Sequence, residues 1–237
     1  GGGYTLTAFD LTPAGAATTA RQFVTRAQNF GDVTEHFDGV NVSLNARLRN
    51  GLLIQGGMGT GRVVTNDCDV VEKLPETLHQ FLGNNTRVFV FGARPLERCE
   101  QNNGFRTQVQ GLASYTIPRI DVQVSGTFQN LPGGNVSANA NTFGTGTLGR
   151  PFSGAPFRVF NIVNAGELYV ERLNQLDLRV AKIFRFAGAR TNVNFDFYNA
   201  LNGNAVIGEN FTYGAAWRTP QSILLPRMFK LSAQFDF

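Results

Sequence analysis

The chain has 237 residues, 16% charged and 42% apolar, with a mean hydropathy of −0.12 and a formal net charge of +4. Plentiful aromatic and branched residues exclude disorder, and no stretch approaches ~18 uninterrupted apolar residues, which excludes a helical membrane protein. The basic excess is spread along the chain, with no basic block and no recognisable binding module, so no nucleic-acid partner is expected.

Residues 1–35 read as a lead-in. They open GGGYTLTAFD, with no initiator Met, basic stretch or signal peptide, as a segment from inside a longer chain would. Residues 3–9 and 21–30 are predicted to be extended and to form a hairpin. Strict alternation then takes over. Val40, Val42, Leu44, Ala46 and Leu48 alternate with Asn41, Ser43, Asn45, Arg47 and Arg49, predicting a strand over 37–49. A second strand, 51–64, follows the turn at Arg49-Asn50-Gly51. Within it GMGTGR (57–62) superficially echoes a dinucleotide loop, but no helix follows, so no phosphate cradle is expected. Its small residues ease strand curvature or make room for loops or a plug.

A long loop, 65–104, holds both cysteines, Cys68 and Cys99, and a predicted helix from Pro75 to Leu82, with Pro at its first turn and Gly83 after it. Strands 104–117 and 119–131 follow, joined by the tight turn Pro118-Arg119. In the first, Val109, Ala113, Tyr115 and Ile117 oppose Arg106, Gln108, Gln110 and Ser114. In the second, Val122, Val124 and Phe128 oppose Asp121, Gln123 and Ser125. The second long loop, 131–171, includes a Gly/Asn/Thr-rich stretch at 133–155 that reads as low complexity and as part of a surface ligand site. Strand 172–186 places Lys182 on the face of Leu178, Val180 and Phe184, tolerable at a membrane edge where it can snorkel. After Ala187-Gly188-Ala189 come strand 190–201, a third long loop at 202–224, and strand 226–237. The last strand sets Phe229, Leu231, Ala233, Phe235 and Phe237 against Lys230, Ser232, Gln234 and Asp236.

One apolar and one polar face also suit a solvated antiparallel sheet. Loop lengths break the tie, because short and long connections alternate strictly. Transmembrane barrels sort their loops this way, and strands of about 10–14 residues suffice to cross a bilayer when tilted. The predicted fold class is therefore all-β, an antiparallel transmembrane β-barrel with long extracellular loops. Its polar parity looks wet, implying a wide or plugged lumen lined by Arg47, Arg106, Asp121, Arg179 and Asp196. Tyr115, Phe128, Phe184, Trp217 and Phe237 are candidate interfacial aromatics. Seven strands are fewer than the even count, eight at minimum, of a bacterial single-chain barrel, so the chain reads as the carboxyl-terminal portion of a larger one.

ERLNQLDLRVAKIFRF (171–186), TNVNFDFYNALNG (191–203) and PRMFKLSAQFDF (226–237) resemble the last three strands of a TonB-dependent outer-membrane receptor. HFDGVNVSLNARLRNGLLIQGGMGTGR (36–62) and GFRTQVQGLASYTIPRIDVQVSGTFQNLPG (104–133) resemble its Oar-like branch, which carries a carboxypeptidase-regulatory-like domain. The resemblance implies a barrel of about 22 strands in the bacterial outer membrane, assigns 36–237 to it, and implies TonB-dependent uptake of a metal chelate, glycan or peptide. It implies contacts with outer-membrane lipid, with an amino-terminal barrel and plug region, and through that region with a TonB-type energising partner. Phe229, Leu231, Phe235 and Phe237 resemble the signal read by the barrel-assembly machinery. In such a cell-surface setting Cys68 and Cys99 are expected to form a disulfide. The alternative, a metal site from Asp67, Cys68, Asp69, His79 and Cys99, lacks paired zinc-ligand spacing. His36 and His79 complete no catalytic set, so neither enzyme activity nor a cofactor is expected. The rival function is a structural or adhesin-like barrel component of a cell-envelope assembly.

Overall fold

The computed structural model describes residues 7, 10–19, 24–75, 96–153, 157–186 and 189–236. In chain order these form helix α1 (Pro13–Ala16), strands β1 (Thr34–Arg47) and β2 (Leu52–Asn66), and helix α2 (Cys68–Lys73). Next come β3 (Glu100–Asn102), β4 (Arg106–Ile117), β5 (Val122–Leu131), β6 (Asn139–Phe143), α3 (Gly144–Thr147) and β7 (Phe157–Asn161). The chain continues through β8 (Leu173–Phe186), β9 (Ala189–Tyr198), β10 (Val206–Glu209), β11 (Pro220–Ile223) and β12 (Met228–Asp236).

The protein is all-β in class, and its named strands pair antiparallel throughout. All seven long strands expected from the alternation are present, in one sheet of order β1-β2-β4-β5-β8-β9-β12, with β3 added to the end of β2. Closure into a barrel is not seen: among the described residues β1 pairs only with β2, and β12 only with β9. Because each neighbour runs antiparallel to the last, the connections 48–51, 118–121 and 187–188 all fall at one end of the sheet. The three long ones fall at the other.

Strand ends differ from the alternation where backbone chemistry intervenes. β5 starts at Val122 rather than 119. Pro118 has no N–H to offer, and Arg119 and Asp121 take left-handed φ values of 73° and 47°. β9 stops at Tyr198 rather than 201 because Asn199 and Asn202, at φ 48° and 53°, turn the chain away; Asn tolerates this region best among residues with a side chain.

Most of the expected lead-in hairpin lies outside the described residues. Residues 1–6, 8–9 and 20–23 lie outside the described residues, and Ala27–Asn29 is a 3-10 turn rather than extended. There Asn29 Nδ2 donates to Thr25 Oγ1 at 2.7 Å, a local bond that competes with strand pairing. The predicted helix from Pro75 to Leu82 lies outside the described residues from 76 onward. An unpredicted helix, α2, precedes it.

Within 133–155, expected to be a low-complexity loop, the chain forms β6 and α3, and the described parts of the three long loops hold together. They are tied into one cap. Arg98 donates to the carbonyls of Asn161 (3.2 Å) and Ile162 (2.9 Å). Asn139 N donates to the Phe211 carbonyl at 2.7 Å, and Trp217 Nε1 to that of Ser137 at 2.9 Å. β6 pairs with β7, and β10 with β11. The buried apolar residues concentrate here: Val71, Val136, Ala138, Phe152, Phe160 and Val170, against only Ala181 and Ile183 in the main sheet. At Gly133 any Cβ would stand 2.0 Å from the Val170 carbonyl oxygen, so glycine is required by close approach of two backbones.

Candidate functional site

Register decides whether alternation within each strand adds up to a surface, since a one-residue slip flips every side chain. Here the parity is kept across all seven strands. One row runs Ala46, Ile54, Ala113, Gly126, Leu178, Phe197, Phe229. Its neighbour toward the short turns runs Leu52, Tyr115, Val124, Val180, Phe195, Leu231. These rows form one continuous apolar wall, and it is exposed: Val42 at 58%, Val180 at 46%, Leu231 at 75%. Phe229 stacks on Phe197 and Phe195, with ring centroids 4.6 and 5.5 Å apart. In β4 the band from Val109 to Ile117 spans about 26 Å along the strand, or about 20 Å of height at the ~40° tilt of outer-membrane barrel strands, whose apolar band is ~25 Å tall.

Charge on this wall is confined to its margins among the described residues. At the loop end Asp38 pairs with Arg62 at 3.1 Å, and Arg62 lies 5.1 Å from the Phe105 ring centroid. His36 sits beyond them, opposite Val64. At the short-turn end Lys182 faces Val122, the first residue of β5, donates to the Ile120 carbonyl and lies 5.6 Å from the Phe184 ring centroid. Tyr115 and Phe184 lie toward this end. Trp217 does not join them, because it is held in the cap beside Tyr213. Phe229, Leu231 and Phe235 project from this wall at 58%, 75% and 62% exposure; Phe237 lies outside the described residues.

The opposite wall carries the polar parity. Its central row runs Arg47, Leu53, Ser114, Ser125, Arg179, Asp196, Lys230. Three expected lumen residues thus share one row. Arg179 Nε and Nη2 grip Asp196, the latter at 3.1 Å, and Asp196 is only 2% exposed. Asp177 accepts from the backbone N–H of Asn199 at 2.8 Å and from Gln175 Nε2 at 3.0 Å. Arg47 is exposed at the short-turn end of β1. The other two expected residues stand apart. Arg106 is folded back at the loop end of β4, donating to the Pro132 and Gly133 carbonyls. Asp121 belongs to the turn before β5 and pairs with Arg185 at 2.7 Å. GMGTGR lies in β2, as expected. The ring of Phe37 fills part of the space left by Gly61, where a Cβ would stand 2.6 Å from it.

Cys68 and Cys99 form the expected disulfide, with Cα atoms 4.8 Å apart and a separation of 31 positions in sequence. Both cysteines of the alternative metal set are thereby consumed, and His79 lies outside the described residues. No cluster of three potential metal ligands occurs among the described residues.

Sequence reasoning missed one polar node. Asp10, from the lead-in, accepts from Arg150 Nη1 at 2.7 Å, Arg158 Nη2 at 2.6 Å and the Ser153 N–H at 3.2 Å. Burial pushes its carboxyl up, but the Arg150 hydrogen bond, the Ser153 N–H and the Arg158 charge together bring it below the ordinary carboxylate value. The partners are separated by 140 to 148 residues, a distance no local pattern spans. A second pair, Glu209 with Arg218 at 2.9 Å, ties β10 to the residues before β11.

No family model matches the chain, and no curated protein and no solved structure matches it.

Proposed function

We propose that this chain forms part of the wall of a bacterial outer-membrane barrel of the TonB-dependent receptor type. In it the apolar wall meets lipid, the polar wall faces a water-filled or plugged lumen, and the disulfide-braced cap faces outward to capture ligand. The ligand is a metal chelate, glycan or peptide. Energised passage requires a plug and a TonB-type partner acting through it.

One observation carries the reading. An in-register apolar wall is exposed across seven strands while the buried apolar residues lie mostly in the loops. In water so large an exposed patch is an aggregation liability. In lipid it is the stable arrangement, provided every backbone group is paired. The two open edges, β1 and β12, therefore call for neighbouring strands to complete the ring.

Single cysteines test the orientation without removing the native disulfide, which does not react with maleimides. In the membrane-inserted protein, Val42→Cys, Val180→Cys and Leu231→Cys should react with a lipid-soluble maleimide and resist a charged one. Ser43→Cys and Gln110→Cys should react with the charged reagent. Equal labelling of both sets by the charged reagent would reject the lipid-facing assignment. Ligand-dependent uptake that stops when the membrane potential is collapsed would separate a receptor from a passive envelope component.

A further inference from the structure

The apolar wall is not flat. Gly56 pairs with Gly111, so neither strand projects a side chain there, and a hollow of about 510 Å³ opens between Met58, Val109, Phe128 and Leu176. That volume falls within the ~300–1,000 Å³ of ligand clefts.

The loop-side end of the hollow meets a polar group on the same face. Asn130 lies two positions beyond Phe128, about 7 Å along the strand. Its Oδ1 accepts from Nη1 of exposed Arg172 at 2.7 Å, and its Nδ2 donates to Asn174. Arg172 Nη1 also donates to the Thr107 carbonyl at 2.8 Å. These bonds leave Arg172 Nε and Nη2, and Asn174 Nδ2, without hydrogen bonds among the described residues. The adjacent carboxylate, Glu171, is engaged elsewhere, accepting from Val206 N at 2.7 Å. Two further carboxylates on this face stand at its loop-end margin, Asp38 paired with Arg62 and Glu100 accepting from Asn66 Nδ2 at 3.1 Å. The rim beside the hollow therefore offers unused donors on Arg172 and Asn174, with the Glu171 carboxylate drawn toward Val206.

We propose that the hollow and Arg172 together form a site for a membrane lipid whose phosphate-bearing head carries net negative charge. One acyl chain lies over Gly56 and Gly111, and the phosphate meets Arg172 and Asn174. The inference rests on the lipid-facing reading of this wall. Within a bilayer the hydrophobic effect cannot select one chain, since the surrounding tails are equally apolar. Selection comes from shape, because an unfilled hollow leaves its lining without contact partners. It also comes from a cation at the level of the head.

The test uses the protein inserted in nanodiscs, then extracted in mild detergent, with retained lipids counted by native mass spectrometry. Phosphatidylglycerol should be retained over phosphatidylcholine by about fivefold, the factor expected of one cation near a membrane surface. Arg172→Gln should bring that preference to near unity while acyl retention persists. Gly111→Leu should abolish retention of both lipids. A Cβ at 111 has only the Gln55 carbonyl within contact, at 3.8 Å, so the backbone tolerates the change. Circular dichroism checks that this variant folds, and Arg172→Gln decides the matter if it does not. Retention equal in the unaltered protein and both variants overturns the proposal. So does a dimer that covers the hollow and dissociates in Gly111→Leu. Failure of the unaltered protein to enter the bilayer removes the lipid-facing reading itself, and the site with it.

Discussion

Asp10 and Asp196 show how differently two carboxylates act in one chain. Asp10 is in the cap, with a folded pKa below its unfolded one. Its contribution to stability is therefore fully present above about pH 4 and is lost as pH falls through the lower, folded value. The amide of Ser153, which donates to it, should accordingly lose its hydrogen-exchange protection factor as pH drops from 4 toward 2. Arg150→Gln, which removes the hydrogen bond that lowers the carboxyl, should move that loss to higher pH. A protection factor unchanged down to pH 2 would contradict the assignment. Asp196 is in the polar wall and almost fully covered, but Arg179 keeps 46% of its side chain exposed. Removing one member of a fully buried pair costs about 3–5 kcal/mol. Here water can resolvate the arginine, so Asp196→Ala should cost nearer about 1–3 kcal/mol, read from urea unfolding in lipid vesicles. A cost near zero would mean that the pair does not form in the membrane.

The elements give the sharpest contrast between the two walls. Val124 of β5 projects into the apolar wall at 42% exposure, and Gln110 of β4 is exposed on the polar one. Val124→Arg should destabilise the inserted protein by about 2–4 kcal/mol if it lies near the bilayer midplane. Gln110→Arg should change stability little. Equal tolerance at the two positions would reject the assignment of faces. The strands were legible because most of them alternate, 51–64 and 172–186 less cleanly than the rest, and the structure moved only their ends. Those ends shifted where Pro118, Asn199 and Asn202 impose backbone angles that side-chain polarity does not report. The loops were not legible. Val136, Ala138, Phe152 and Phe160 sit among glycines and asparagines with no period, and their burial comes with the cap in which β6 and β7 pair. The cap also depends on the disulfide. Closing a loop of this length contributes about 3–4 kcal/mol, so reduction should loosen residues 68–99 before it affects the sheet. Thiol labelling before reduction should find no reactive cysteine.

For the whole molecule the edges of the sheet decide what completes the wall. β1 is fourteen residues long, exposed along nearly its whole length, and bonded on one side only among the described residues. Long, unprotected edges of this kind invite further pairing. In an antiparallel strand alternate N–H groups point to opposite sides, so half of the β1 amides already serve β2. In the membrane-inserted protein, hydrogen exchange should show every β1 amide protected if another strand completes the wall. Protection at every second amide alone would mean that β1 remains an edge and that the ring is not closed there.

The residues by themselves determined the strand period, the division of apolar from polar side chains and the sorting of short from long connections. These are properties of neighbours along the chain, which two-residue periodicity reports directly. Only the tertiary structure decided that the parities of seven strands align into two continuous walls. Alignment depends on register, and register depends on pairing between segments as distant in sequence as Leu52 and Tyr115. The same is true of the capped loops, of the Asp10 node, and of the glycine-floored hollow beside Arg172. Each joins residues whose common location is created by folding and leaves no pattern along the chain.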